Sequence, residues 1–318
     1  MLSRIIQIAF GFDYDQDIIH FMVKKQIIIL NHNGGRLGNQ LILYSSIYAY
    51  CLEKNFDLVN YSFYEYDKFF NLPKPKLFSA LFGFIGGLSF YKSHAITYIF
   101  YNTLAKTIPF FWKGGLLKED LDGVFYLPPT NTNSKTHQGI IKNIEFSQYK
   151  RVYTQGWNFR NPVGIDKYHK QISTFLTPKK ELMEKVESFI SNKRRGGKKL
   201  IGVHIRQGDY KVFLGGSLYF SPKEVSEILM YFIKVRRIDR TKTRFVIFSD
   251  GDIDLGVFRG IDVTKGPGHV IKDLFALSMC DAIIGSNSTY GAFASYYGRK
   301  PLYFFDRDKK IVRQNQIF

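Results

Sequence analysis

Leu200-Ile201-Gly202-Val203-His204-Ile205-Arg206-Gln207-Gly208-Asp209-Tyr210 is a short apolar run that breaks off into glycine and charged residues. Such a run reads as a buried β-strand, Leu200 to Ile205, and its polar exit as the loop at the strand's carboxyl end. Side chains alternate with period two, so His204 and Arg206 share one face there and Asp209 falls in the turn. An arginine in that position suits a diphosphate, whose oxygens match its planar fork, and its fixed charge stabilises a departing phosphate without proton transfer. Taken alone, the pair also fits a structural role.

The pattern on either side of this strand decides the fold class. Upstream, Thr177 as N-cap and Pro178 at the first helical position predict a helix to about Asn192. The basic run Lys193 to Lys199 that closes it reads as a solvated turn rather than an anion patch. Downstream, Ser221, Pro222 and Glu224 form a capping box that opens a second helix. Strand and helix then alternate: Phe245 to Phe248, Asp273 to Met279, Ala282 to Ile284, Thr289 to Tyr297 and Leu302 to Phe305. This alternation predicts an α/β fold with a parallel sheet, and a ligand site after Ile205, Phe248 and Ile284.

A comparable unit stands earlier in the chain. Gln26 to Asn31 is a strand, Gly34 to Gln40 a glycine-rich turn, and Leu41 to Lys54 a helix with Leu41, Tyr44, Ser45, Tyr48 and Leu52 at helical spacing. The turn has neither the Gly-Lys-Ser/Thr ending of a P-loop nor the glycine order of a dinucleotide fingerprint. What it offers is backbone amides at a helix N-terminus, with Arg36, Asn39 and Gln40 as planar donors beside them. Residues 61 to 176 are irregular and rich in proline and polar loops, and carry no motif.

Two further segments could carry chemistry. Phe248-Ser249-Asp250-Gly251-Asp252-Ile253-Asp254 places acids just past a strand. An EF-hand fails there, because Leu255 and Ile261 stand where its glycine and terminal glutamate belong. A carboxylate pair on Mg²⁺ or Mn²⁺ is open from spacing, but helix capping or a sugar or base contact fits better. The second segment runs from Asp273 to Phe293, where Ser286-Asn287-Ser288-Thr289 brings hydroxyls and amides together at a helix N-terminus, an anion site.

Composition bounds the partners. The 318 residues carry 45 Lys and Arg against 27 Asp and Glu, a net charge of +18, which favours a polyanion such as nucleic acid, an anionic membrane face or a phosphorylated substrate. The length fits two domains, divided as an extension 1–21, an N-terminal domain 22–176 and a C-terminal domain 177–318. The 30 Phe and 21 Tyr are spread along the chain without the clustering of an RNA-stacking module. Cys51 and Cys280 lie far apart with no CxxC, so neither a disulfide framework nor a zinc site is indicated, in keeping with a reducing compartment.

The N-terminus makes a poor signal peptide, so a cytoplasmic location is expected. Met22 is expected as the natural initiator, which N-terminal sequencing would test. The uncharged runs Leu77 to Tyr91 and Ser93 to Ala105 are each too short to span a bilayer. They fit buried core, or a surface that docks peripherally on the inner membrane face.

Four motifs in order, Gly35-Arg36-Leu37-Gly38-Asn39-Gln40, His204-Ile205-Arg206-Gln207-Gly208-Asp209-Tyr210, Phe248-Ser249-Asp250, and Asp273 to Tyr290 with Ser286-Asn287-Ser288, together resemble the α-1,2-fucosyltransferases of glycosyltransferase family 11. The resemblance covers nearly all of the chain after the first 21 residues. It implies a GT-B-type fold, two Rossmann-like domains facing a cleft. It also implies metal-independent, inverting transfer of L-fucose from GDP-β-L-fucose to a galactose-type hydroxyl of an oligosaccharide or lipid-linked glycan acceptor, with no cofactor beyond the donor. By the same resemblance Arg206 meets the β-phosphate, His204 and Asp273 the guanine side, Ser288 and Thr289 the pyrophosphate, and Asn39 the transferred sugar. Arg36, Gly38, Asp250, Ser286 and Asn287 complete the donor side, and Asp209 is the carboxylate nearest the reaction, as base or as brace of Arg206.

The chain departs from the family pattern at two places. Gln207 stands where a second arginine is usual, and Gly291-Ala292-Phe293-Ala294-Ser295 replaces an aromatic Ser-Trp-Trp-type segment. Two other functions fit parts of the sequence: a glycosyltransferase using another GDP-sugar, and a non-enzymatic nucleic-acid binder drawing on the net charge and the basic stretch Lys234 to Arg244.

Overall fold

The structure is a computed structural model that describes residues 25–31, 35–60, 62–63, 65–72, 124–127, 149, 151–155, 159–308 and 310–313. The first 21 residues and the runs 77–91 and 93–105 lie outside the described residues, as does Gly34. The described strands form two sheets. The smaller contains β1 (Gln26–Asn31), β2 (Asp57–Asn60), β3 (Val124–Leu127) and β4 (Arg151–Gln155) in the order β2-β1-β4-β3, and every pairing is parallel. The larger contains β5 (Lys199–Ile205), β6 (Thr243–Ser249), β7 (Val263–Lys265), β8 (Ala282–Gly285), β9 (Leu302–Asp306) and β10 (Lys310–Arg313), ordered β10-β9-β8-β5-β6-β7. Its pairings are parallel except for the antiparallel edge strand β10 on β9.

The inner strands β5, β6, β8 and β9 of the larger sheet are covered on both faces, which explains their apolar runs. On β6, Phe245 and Ile247 face one way, towards Val225, Leu229 and Phe232 of the helix α5 (Pro222–Val235). Val246 and Phe248 face the other, towards Leu274 and Phe275 of α6 (Val270–Ser278) and Phe293 of α7 (Thr289–Gly298). The capping box that opens α5 is formed as expected, with Ser221 Oγ accepting from the Glu224 amide and the Glu224 carboxylate from the Ser221 amide.

The helix α1 (Leu37–Lys54) joins the two halves. Leu43, Ile47, Tyr50 and Cys51 pack on Ile27, Ile29 and Val152 of the smaller sheet, whereas Leu37, Leu41 and Tyr44 join the core built on the larger one. Being buried on both sides, α1 even encloses Ser45 and Ser46, and Ser45 is satisfied by donating to the Leu41 carbonyl. Two short helices, α2 (Pro162–Lys167) and α3 (His169–Phe175), complete the bridge: Tyr296 Oη of α7 donates to the Ile165 carbonyl, and Arg299 pairs with Asp166.

The helix α4 (Lys180–Lys193) begins two residues later than Thr177 and Pro178 would have it start. Thr177 Oγ1 donates to the Ser173 carbonyl and shares a hydrogen bond with Tyr297 Oη, and Pro178 forms a β-bridge with Phe70. The tertiary partners hold these residues out of the helix, so Lys179 becomes its N-cap without a side-chain bond. Two cations of the basic run after α4 are paired locally: Arg194 forks onto Asp281 and Lys198 pairs with Asp262. No helix among the described residues is long and apolar enough to cross a membrane.

Candidate functional site

Pairing of β5 sets His204 opposite Phe248 on one side and Gly285 on the other, so the loops after β5, β6 and β8 emerge together. They open onto a cleft of about 960 Å³ whose far wall is Gly35 to Asn39 and Tyr66. That volume accommodates a sugar nucleotide. Arg36, Gly38, Asn39, His204, Arg206, Asp209, Asp250, Asp273, Ser288 and Thr289 all line it. Ser286 and Asn287 do not: Ser286 is buried behind the wall, where its Oγ accepts from the Arg206 amide, and Asn287 is exposed, its carbonyl accepting from Tyr210 Oη. Gln40 is likewise buried, its Nε2 turned back towards the Gly35 carbonyl.

Arg206 sits at the centre, its side chain 12% exposed between two carboxylates. Its Nε and Nη2 donate to Asp209 at 3.0 and 3.3 Å, and its Nη1 lies 3.2 Å from Asp250 Oδ2. A guanidinium has five N–H groups. Two of them donate to Asp209 and the Nη1 amino group lies against Asp250, so the guanidinium is fixed between the two acids. Asp250 Oδ1 accepts from the amides of Gln207 and Gly208 and so ties down the loop after β5, while Oδ2 also meets Arg36 Nη1 at 3.1 Å from across the cleft. Burial pushes the Asp250 carboxyl up, but those amides and Arg206 outweigh it and hold the group below its ordinary value.

Asp209 grips Arg206 with both oxygens, the geometry of a brace for the guanidinium. Asp209→Asn keeps the shape but removes the charge, and it is expected to weaken GDP binding and turnover together, each by about tenfold. A variant that binds GDP normally yet loses turnover would instead make Asp209 the base.

His204 is buried, its ring stacked on Tyr290 at 4.9 Å. Its Nδ1 has no hydrogen-bond partner among the described residues. Burial, with Arg206 beside it, lowers its pKa to about 4, so the imidazole is neutral at pH 7. Asp273 accepts from the Gly268 amide at 2.9 Å, and burial raises its carboxyl to about 6. Ser288 caps α7 by accepting from the Tyr290 amide at 3.1 Å, which leaves the first turn of that helix directed at the cleft.

The acidic segment after β6 is dispersed. Asp252 pairs with Lys265, and Asp254 caps a short 3₁₀ turn by accepting from the Gly256 amide. Among the described residues no group of three or more His, Cys, Asp or Glu is placed to hold a metal. Sequence reasoning missed Tyr66, Phe213 and Val270 in the cleft lining, and quoted Tyr290 without giving it a place. Tyr66 and Phe213 come from loops with neither periodicity nor motif. Tyr290 follows the Ser288 cap and could have been found there.

The model of glycosyl transferase family 11 matches residues 88–306. Among solved structures, a mutant of FUT1 from Arabidopsis thaliana in complex with GDP is 13% identical, covering 92% of this chain and 74% of that one, with a TM-score of 0.57. The α-1,6-fucosyltransferase NodZ soaked with GDP-fucose is 14% identical over 92% of this chain and 100% of its own, with a TM-score of 0.51. NodZ from Bradyrhizobium is 15% identical over 92% and 99%, with a TM-score of 0.51. No curated protein sequence matches the chain. The fold is thus mixed α/β with parallel sheets, similar to GT-B fucosyltransferase structures.

Proposed function

The chain belongs to glycosyl transferase family 11, and we propose that it moves L-fucose from GDP-β-L-fucose onto a galactose-type hydroxyl of a surface glycan precursor, inverting the anomeric centre to an α-1,2 linkage. The observation that carries this is Arg206, fixed between Asp209 and Asp250 in a cleft whose far side is formed by Gly35, Arg36 and the first turn of α1. The GDP and GDP-fucose complexes of the similar structures support the choice of donor.

In this reading the acceptor oxygen attacks the sugar's C1 from the face opposite the phosphate. The C1–O bond breaks, its electron pair stays on the β-phosphate oxygen, and GDP departs. Arg206 and the N-terminus of α7 stabilise the charge that gathers there, so the step draws on fixed cations and amides and needs no metal. The acceptor proton passes to solvent or to a phosphate oxygen, since Asp209 is committed to Arg206. The acceptor would be an oligosaccharide or a lipid-linked glycan at the anionic inner leaflet. The net charge of +18 supports that location, each lysine or arginine near such a surface contributing about 1 kcal/mol.

Asp273 supplies a pH test. In the ligand-free protein its carboxyl is raised from the ordinary 3.8 to about 6 by burial, so the stability tied to its neutral form is present below 3.8 and is lost as pH rises through about 6. A guanine edge donates N–H groups and favours the ionised form. GDP affinity of the wild type, relative to Asp273→Asn, should therefore increase as pH rises through about 6. Parallel profiles for the two proteins by titration calorimetry would remove Asp273 from the base.

A panel of GDP-sugars with galactose-terminated acceptors, followed by NMR of the product, tests the whole assignment. An α-1,2-fucosylated product is expected. Turnover with a different GDP-sugar alone would move the chain to another donor within the family.

A further inference from the structure

We propose that Phe213 forms the aromatic wall of a sugar subsite, a platform on which the C–H face of a pyranose stacks beside the diphosphate position. This rests on the GDP-sugar function argued above, and extends it by naming the residue that selects the sugar.

The cleft has an order that can be followed from contact to contact. At one end Tyr290 Oη donates to the Val270 carbonyl, near Asp273. The Tyr290 ring stacks on His204, and Arg206 follows two residues later on the same strand face. The Arg206 guanidinium lies over the Tyr210 ring at 5.5 Å, and that ring stacks on Phe213 at 5.8 Å with only 20° between the planes. If the diphosphate lies at Arg206 and the nucleobase towards Asp273, the next group outward is the sugar, and Phe213 is the next wall.

The conformation of the loop is unusual for one that merely connects elements. Leu214, Gly215 and Gly216 take φ values of 50°, 65° and 77°, three consecutive residues in the left-handed region, one of them not glycine. A β-carbon on Gly216 would come within 3.0 Å of the Lys211 carbonyl oxygen, so the turn folds tightly back on itself. Backbone of this kind persists where surrounding structure enforces it, and it concentrates at ligand sites. Here it holds Phe213 49% exposed at the cleft, fixed from behind by Tyr210, which is itself anchored through Asn287.

A flat apolar ring beside a cationic site matches a pyranose, whose axial C–H groups form an apolar face between hydroxyls. A 6-deoxy sugar adds a methyl group to that surface. The sugar could be the one carried by the donor or the one presented by the acceptor, and the two are separable by experiment.

Phe213→Ala, Phe213→Trp and, as a control, Val212→Ala, which alters a neighbour 79% exposed, are compared with the wild type for GDP and GDP-fucose affinity and for acceptor KM. For Phe213→Ala, GDP affinity is expected to stay within twofold while about tenfold is lost at the sugar. A donor contact shows the loss in GDP-fucose affinity, an acceptor contact in acceptor KM alone. Phe213→Trp restores it, and Val212→Ala leaves all values unchanged.

The proposal is overturned if Phe213→Ala changes neither quantity by more than twofold, or weakens GDP as much as GDP-fucose. A wild type that rejects GDP-fucose but accepts another GDP-sugar sinks only the fucosyl assignment, and the same ratio taken with the accepted sugar still decides Phe213. A wild type that accepts no GDP-sugar overturns both.

Discussion

Arg206→Ala is expected to lower kcat by 10²- to 10³-fold, about 3–4 kcal/mol of transition-state stabilisation. The loss has two sources. The leaving phosphate loses its cation, and Asp209 and Asp250 are left as carboxylates without the guanidinium between them. The second effect opposes an anionic ligand, so GDP affinity falls as well. Arg206→Lys separates the two: a single ammonium keeps the charge but cannot reach both carboxylates and a phosphate in one plane. It should recover part of the GDP affinity and little of kcat. Stopped-time assays of GDP release with calorimetry on the same variants measure both. A kcat for Arg206→Ala within tenfold of the wild type would move the leaving-group site elsewhere.

Gly38→Ala is expected to cost on the order of 1–3 kcal/mol of stability and to cut turnover further than that loss explains. Gly38 lies in the first turn of α1, and a β-carbon there would fall 2.5 Å from the Tyr290 amide nitrogen and 2.7 Å from the Thr289 carbonyl carbon. These are backbone atoms of α7 and cannot rotate away, so the two helices must part. That contact brings the Gly35–Asn39 wall against the N-terminus of α7, and the cleft lies between them. Gly291→Ala makes the contrast. Its β-carbon would meet only His204 Nδ1 at 3.7 Å and Leu302 at 4.0 Å, and alanine is the better helix former, so the change is neutral or stabilising. Thermal unfolding and kcat of both variants check this. A Gly38→Ala protein as stable and active as the wild type would mean that the two walls need not touch.

The larger sheet was legible because its strands are apolar runs enclosed on both faces and separated by helices with recognisable caps. Where the local signal was weak, it went unread. β7 has three residues, and β10 is an exposed edge, Lys310-Ile-Val-Arg313, which looks like a polar tail without β9 beside it. The helix holding Asp273 starts three residues earlier than its apolar pattern indicates. Its cap is His269, whose Nδ1 accepts from the Ile271 and Lys272 amides, and histidine is not a residue that marks a cap in a sequence. In the bridge between the sheets the Asn161-Pro162 pair was a usable helix start that the surrounding irregularity concealed.

The site shows the same division. Arg206, Asp250, Asp273 and Ser288 sit at the carboxyl ends of strands or at a helix N-terminus, places that the alternation of elements fixes in advance. That Asp209 orients Arg206 instead of standing free could be posed from the sequence but needed distances to decide. Tyr66 and Phe213 reach the cleft only through the tertiary path of their loops, so no spacing announces them. Ser286 belongs to the motif yet serves it from behind, through the Arg206 amide, a distinction between lining and bracing that one dimension does not carry.

The most direct measurement of the central claim is GDP release by the purified wild-type protein from GDP-fucose in EDTA, with galactose-terminated glycans as acceptors. The account predicts acceptor-dependent release that survives chelation and that Arg206→Ala lowers by about 10²- to 10³-fold. A wild type that neither binds nor turns over GDP-fucose would contradict it, and would make Gln207 and the Gly291–Ser295 segment the places to look for a different donor.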